Sequence, residues 1–143
     1  MKLHQLSLFL ENKPGHLSAV CRKLGDAGIS VTTLALADTE QFGILRLIVR
    51  DWEKARDTLQ QAGVVVNVTE VVAAIVEDRP GGLADVLEIL DRAEVNIEYM
   101  YAFTFPHEEQ PVIVFRFDDP DAAIEVLQKN DIRIVDNATV FGA

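Results

Sequence analysis

The chain has 143 residues, 49% of them hydrophobic, and a formal net charge of −10, which is too apolar for disorder and too acidic for a surface that holds nucleic acid or anionic membrane. Its one cysteine excludes an internal disulfide and fits a reducing compartment. The opening Met1-Lys2-Leu3-His4-Gln5 lacks the apolar run of a secretory leader, and no stretch has the apolar length of a membrane-spanning helix, so a cytoplasmic location is expected.

Leu6, Leu8 and Leu10 alternate with Gln5, Ser7 and Phe9, which predicts a strand. Pro14 is expected in the first turn of a helix, where its missing N–H costs nothing. Leu17, Val20, Cys21 and Leu24 then recur at helical spacing, and Gly28 supplies the stop. Residues 29–37 read as a second strand, 38–43 as its turn and 44–49 as a third strand. A second helix over 52–62 turns Ala55 and Leu59 inward and stops at Gly63, and 64–68 form a fourth strand. Strand, helix, strand, strand, helix, strand is the split βαβ order of ferredoxin-like folds.

The order then repeats. A shift of 66 residues lays Glu77, Pro80, Gly81, Leu83, Val86, Leu90 and Ala93 on identical residues at Glu11, Pro14, Gly15, Leu17, Val20, Leu24 and Ala27. These identities fall on a loop and on one helix face, so they mark a duplicated unit. The second copy places strands at 71–77, 95–105, 112–117 and 132–135, with helices at 83–93 and 120–129. The offset grows to 68 after the turn around Pro106-His107-Glu108-Glu109. The expected class is α+β: two tandem ferredoxin-like βαββαβ units, residues 1–69 and 70–143, each an antiparallel sheet with its helices on one face. Between them 64–76 read as one nearly unbroken β stretch, so the units are not expected to tumble independently. The apolar tail 138–141 is expected to add an edge strand. Phe9, Ile44, Ile48, Ala73, Ile75, Val112 and Val114 should face away from the helices. So apolar a face needs covering, and a second copy of the chain is expected to cover it.

Little here suggests catalysis. His4, His16 and His107 have no metal-ligand spacing among themselves or with Cys21, so neither metal nor cofactor is expected. Cys21 corresponds to Leu87 in the second copy, which reads as core rather than nucleophile. Arg79-Pro80-Gly81-Gly82 is too short for a phosphate-cradling loop, and Asp118-Asp119 suits a helix N-terminus. Phe115 and Phe117 should face the helices, out of reach of a stacked base. Binding is the better prospect. The loop Asn12-Lys13-Pro14-Gly15-His16-Leu17 ends at a helix N-terminus, whose open N–H groups and positive dipole end suit a carboxylate. Gly15 lets a ligand approach the backbone, Pro14 fixes the chain's entry, and Asn12 offers both donor and acceptor. The plainer alternative makes Asn12 and Asp78 ordinary helix caps.

At these residues the chain resembles the ACT domain family of small ligand-binding regulatory modules. The matching features are Asn12 or Asp78 in an Asn/Asp-x-Pro-Gly-x-Leu loop, the helix after it, and the Gly-Ile-Ser-Val or Glu-Val-Asn-Ile entry to the second strand. The resemblance implies modules paired through their second strands, with an amino acid lodged between one module's first loop and its neighbour's second strand. The ligand-facing positions it implies are Asn12, Lys13, Pro14, Gly15, His16 and Leu17 with Ser30 and Val31. In the second copy they are Asp78, Arg79, Gly81, Gly82 and Leu83 with Asn96, Ile97 and Tyr99. The amides are split, since Asn12 has Ser30 on its own strand and Asp78 has Asn96. A two-fold pairing would therefore join Asn12, Gly15 and His16 to Asn96, Ile97 and Tyr99 in the competent site and leave Asp78 and Arg79 against Ser30 in a weaker one. The implied protein is a non-catalytic amino-acid-binding regulator, a homodimer that acts on a separate partner enzyme. The alternative is an assembly subunit of a metabolic enzyme complex that no longer binds a ligand.

Overall fold

Alternating apolar residues on the strands and a single apolar stripe on each helix determine which surfaces are buried. The computed structural model describes residues 1–38, 42–104 and 106–141, so the expected turn at 38–43 and the end of the expected strand at 95–105 lie partly outside the described residues. The chain divides into two compact units, His4–Thr69 and Glu70–Ala143, the latter taking in Met1–Leu3.

The first unit is built from β1 (Leu3–Glu11), α1 (His16–Asp26), β2 (Val31–Asp38), β3 (Phe42–Val49), α2 (Trp52–Gln61) and the start of β4 (Val65–Ile75), in sheet order β2-β3-β1-β4. Antiparallel register sets Leu6 opposite Leu47 and Leu8 opposite Leu45. These leucines meet Val20 and Leu24 of α1 and Ala55 and Leu59 of α2 in one core. Asp51 caps α2 by accepting from the Lys54 amide at 3.2 Å. Trp52, the next residue, stacks on His4 with ring centroids 4.4 Å apart.

In the second unit the end of β4 pairs with β6 (Val112–Phe117) and β7 (Ile134–Val135), and β6 with β5 (Ile97–Ala102). Its order, β7-β4-β6-β5, matches the first unit's strand for strand. Helices α3 (Gly82–Arg92) and α4 (Pro120–Lys129) supply Val86, Leu90, Ala123 and Leu127 to a core that includes Val72, Ala74, Phe115 and Phe117. The two phenylalanines stack at 5.4 Å and are fully buried. Asp119 caps α4 by accepting from the Ala122 amide, as the acidic pair predicts. Each unit is a ferredoxin-like antiparallel sheet with helices, and the class is α+β.

Several expectations need correcting. Residues 138–141 belong to a short helix, α5 (Asn137–Phe141), rather than an edge strand. Asp136 starts it, with Oδ1 accepting from both the amide and the hydroxyl of Thr139, and local capping there outweighs the tail's apolar character. The strands read at 64–68 and 71–77 run on as the single strand β4, in line with the nearly unbroken stretch expected there. Cys21 is exposed, because α1 buries only Val20 and Leu24. Of the positions facing away from the helices, Ile48, Ala73, Val112 and Val114 are buried, whereas Phe9 remains 47% exposed.

That face of the first unit is also more polar than its apolar positions suggest. Gln5 is fully buried and donates to Ser7 Oγ at 3.1 Å. Thr33 is fully buried as well, and its hydroxyl has no partner. A buried hydroxyl without a partner costs about 1–3 kcal/mol. Thr33→Val keeps the β-branched shape and should raise stability by about 1 kcal/mol in a denaturant titration; a destabilised variant would show that the hydroxyl is satisfied.

Asp136 gives a pH prediction. Hydrogen bonds from the Thr139 amide, then from its hydroxyl, hold the Asp136 carboxyl below its ordinary value. A carboxylate lowered in the folded state stabilises above its unfolded pKa, and that support is lost as pH falls through the folded value. The α5 turn should therefore loosen at acid pH, seen as an upfield-moving Thr139 amide resonance that titrates below the ordinary aspartate range.

Candidate functional site

The loop from β1 to α1 turns at Lys13, Pro14 and Gly15, with the His16 amide donating to the Lys13 carbonyl at 3.3 Å. Gly15 is the residue at the head of α1, with φ 92°, and no side chain caps the helix. Pro14 therefore lies ahead of the helix rather than in its first turn, because a left-handed residue stands between them. Asn12 lies three residues ahead of that glycine. The first helical amides, at Leu17 and Ser18, are left outside the helix's own ladder. Beside this loop a cavity of about 80 Å³ is lined by Asn12, Lys13 and Leu17 together with Leu36 of β2 and Gly43 of β3. Lys13 pairs with Glu11 at 2.9 Å, a contact that holds the Glu11 carboxyl below its usual range.

The second copy repeats this backbone with different side chains. Gly81 heads α3 with φ 84° and again no side chain caps the helix, so Asp78 is not a cap. Arg79 spans the loop, its Nε bonded to Glu77 and its Nη2 to Asp85 at the first turn of α3. It also donates to the Pro80 carbonyl at 3.3 Å. The first copy has no such brace, since Ala19 stands where the second has Asp85. Gly82 is buried, and a Cβ there would lie 2.1 Å from the Glu77 carbonyl oxygen, so this helix start closes down on the strand end as only glycine allows. Below the loop is a larger cavity, about 270 Å³, bounded by Arg79, Asp85, Ile89, Asp131 and Arg133.

The strand positions show a feature that sequence reading missed. Both second strands carry a register shift, between Val31 and Thr33 in β2 and between Ile97 and Tyr99 in β5. The extra residues, Thr32 and Glu98, are 66 positions apart and so equivalent in the two copies. A bulge re-aims the side chains around it and is common beside binding sites. Periodicity cannot reveal it, because one inserted residue only looks like weaker alternation. Glu98 is held by Arg116 at 3.1 Å, and Arg116 also donates to the Glu70 carbonyl at 3.0 Å. Ser30 precedes the bulge of β2 and Asn96 that of β5; Val31, Ile97 and Tyr99 lie on the strands themselves.

The first unit thus gathers Asn12, Lys13 and Leu17 round one cavity, and the second brings Arg79 and Gly82 to another. Pro14, Gly15 and His16 shape the first loop, and Gly81 and Leu83 the second, without lining either cavity. No group of three or more His, Cys, Asp or Glu is placed to hold a metal among the described residues. None of their helices is long and apolar enough to cross a membrane.

Comparison with known proteins agrees with this architecture. The crystal structure of protein BT0572 from Bacteroides thetaiotaomicron is similar over 100% of this chain and 98% of its own, with 37% identity and a TM-score of 0.92. The ligand-free regulatory subunit of aspartate kinase from Thermus thermophilus shares the fold at a TM-score of 0.62 and 16% identity, over 88% of this chain and 90% of its own. Aspartate kinase from Synechocystis shares it at 0.60 and 19%, over 90% of this chain and 26% of that one. No curated protein matches. The family model described as an ACT domain pair matches residues 1–141, and the chain belongs to the ACT domain family.

Proposed function

We propose that the chain is a non-catalytic regulator that binds an amino acid where the first loop of one ACT module meets the second strand of another. The observation that carries this is the uncapped start of α1. Gly15 heads the helix in a left-handed conformation and itself supplies no side-chain cap, and Asn12 and Leu17 stand at the adjoining cavity. A ligand carboxylate would take the open amides, and the Asn12 side chain would take the ammonium. The strands that complete such a site are the ones at the sheet ends. β2 and β5 each have one unpaired edge, and they leave Leu34, Leu36 and Met100 between 41% and 50% exposed. Free edges with apolar neighbours call for a partner, which supports pairing of modules and a homodimer.

The two loops are unequal in this reading. Arg79 is tied to Glu77 and Asp85 across the second loop, so a ligand there competes with two carboxylates. The first loop carries the Lys13–Glu11 pair in place of that two-carboxylate brace. In a two-fold pairing of modules, Asn12, Gly15 and His16 would face Asn96, Ile97 and Tyr99 and form the stronger site. Ligand binding would favour the paired arrangement through its higher affinity for it, and a separate cytoplasmic enzyme would respond to the change.

A thermal-shift panel of the twenty amino acids tests the reading. A ligand at about 100 times its dissociation constant should add about 2.7 kcal/mol. Asn12→Ala should weaken that ligand at least about tenfold, whereas Asp78→Ala should change it less than about twofold. Flat melting curves for all twenty would leave an assembly role instead.

A further inference from the structure

The cavity under the second loop lies wholly within one unit. Its volume is about 270 Å³, near the lower end of small-molecule sites and suited to a single small metabolite. Its apolar wall comes from Val86, Ile89 and Ile132. Ile89 and Ile132 are only half-buried, and Ile89 is not among the residues packed on the hydrophobic core. The wall therefore keeps apolar surface in water, which costs about 25 cal/mol for each Å² left uncovered.

Two charged groups at the cavity have bonding capacity to spare. Arg133 makes one hydrogen bond, from Nη2 to Glu108 at 2.9 Å, and a guanidinium has five N–H donors. Asp131 lies two residues away, and its carboxylate makes no hydrogen bond or ion pair with the described residues. Arg79, by contrast, spends three of its donors on Glu77, Asp85 and the Pro80 carbonyl. The first copy departs at three of these positions. Lys23 replaces Ile89, Gly63 replaces Asp131, and Val65 replaces Arg133.

From this we infer a second, separate ligand site in the Glu70–Ala143 unit, for a zwitterionic α-amino acid with a short aliphatic side chain. The carboxylate would take the spare donors of Arg133 and the ammonium would pair with Asp131. The side chain would cover Ile89 and Ile132. Cavity carboxylates outnumber guanidiniums, with Glu77, Asp85 and Asp131 against Arg79 and Arg133, so a free anion would be disfavoured. The site needs no pairing of modules and does not depend on the first loop.

The test uses the full chain with ¹³C-labelled isoleucine methyls, titrated with L-valine, L-leucine and L-isoleucine and followed in parallel by calorimetry. Saturable shifts of the Ile89 and Ile132 methyls are expected. Ile89→Trp, which fills the cavity, and Arg133→Gln, which leaves the core intact, should each weaken binding at least about tenfold, while Asn12→Ala changes it less than about twofold. Isovalerate and isoamylamine, each lacking one of the two charges, should bind more weakly than leucine. The inference is overturned if none of the three amino acids shifts those methyls, or if Arg133→Gln binds as the wild type does. It also falls if a one-charge analogue matches leucine. Binding abolished by Asn12→Ala and untouched by Arg133→Gln would support the first-loop site and remove this one; the converse would do the opposite.

Discussion

One glycine in a left-handed conformation at the head of a helix is the constraint on which both halves of this molecule depend. Gly15 and Gly81 take φ 92° and 84°, a region that costs an L side chain about 1 kcal/mol or more. With glycine there, the residue at the head of neither helix supplies a side-chain cap. The first amides of each helix are left for something else to satisfy. A capping residue would add about 1 kcal/mol to each helix; both copies forgo it at the same place, as expected where a binding loop, rather than stability, sets the local structure.

From that shared backbone the two copies diverge in their side chains. The first loop carries an exposed ion pair between Lys13 and Glu11. The second is braced by Arg79 against both the end of the strand and the first turn of the helix. It also packs so closely on the Glu77 carbonyl that Gly82 has no room for a Cβ, whereas the first copy has His16 at that position. Duplication thus supplied two loops that share a left-handed glycine at the helix head, and substitution beside it gave them different surroundings. The helix ends diverge too. Left-handed Gly28 and Gly63 become left-handed Glu94 and Asp131, at a backbone cost that glycine avoids.

The repeat and the alternation were enough to read the elements of both units and their order, because the identities fall on buried positions such as Val20/Val86 and Leu24/Leu90. Burial imposes a period, and period is visible in sequence. What escaped reading has no period. The bulges at Thr32 and Glu98 each insert one residue into a strand. Pro14 stands before the helix because of a backbone angle at its neighbour. Cys21 looks interior by its spacing, yet α1 packs through a stripe only two residues wide. The tail at 138–141 is apolar enough for a strand, but Asp136 and Thr139 close a helical turn by side-chain bonds that hydropathy does not register.

The candidate site was legible to the same degree. The loop residues could be named, since Pro-Gly after a strand and before an apolar helix is a local signal. The cavity at the second loop could not, because Ile89, Asp131 and Arg133 come from α3 and from the turn between α4 and β7, and only folding brings them together. A comparison of copies would have pointed to them. Where two halves share a fold, positions that differ in chemistry while their backbones agree are free of the structural demand that both halves meet. Lys23 against Ile89, Gly63 against Asp131 and Val65 against Arg133 are such positions, and all three of the second-copy residues line one cavity. Function that arose after the duplication is best sought in these differences, as the fold accounts for the identities.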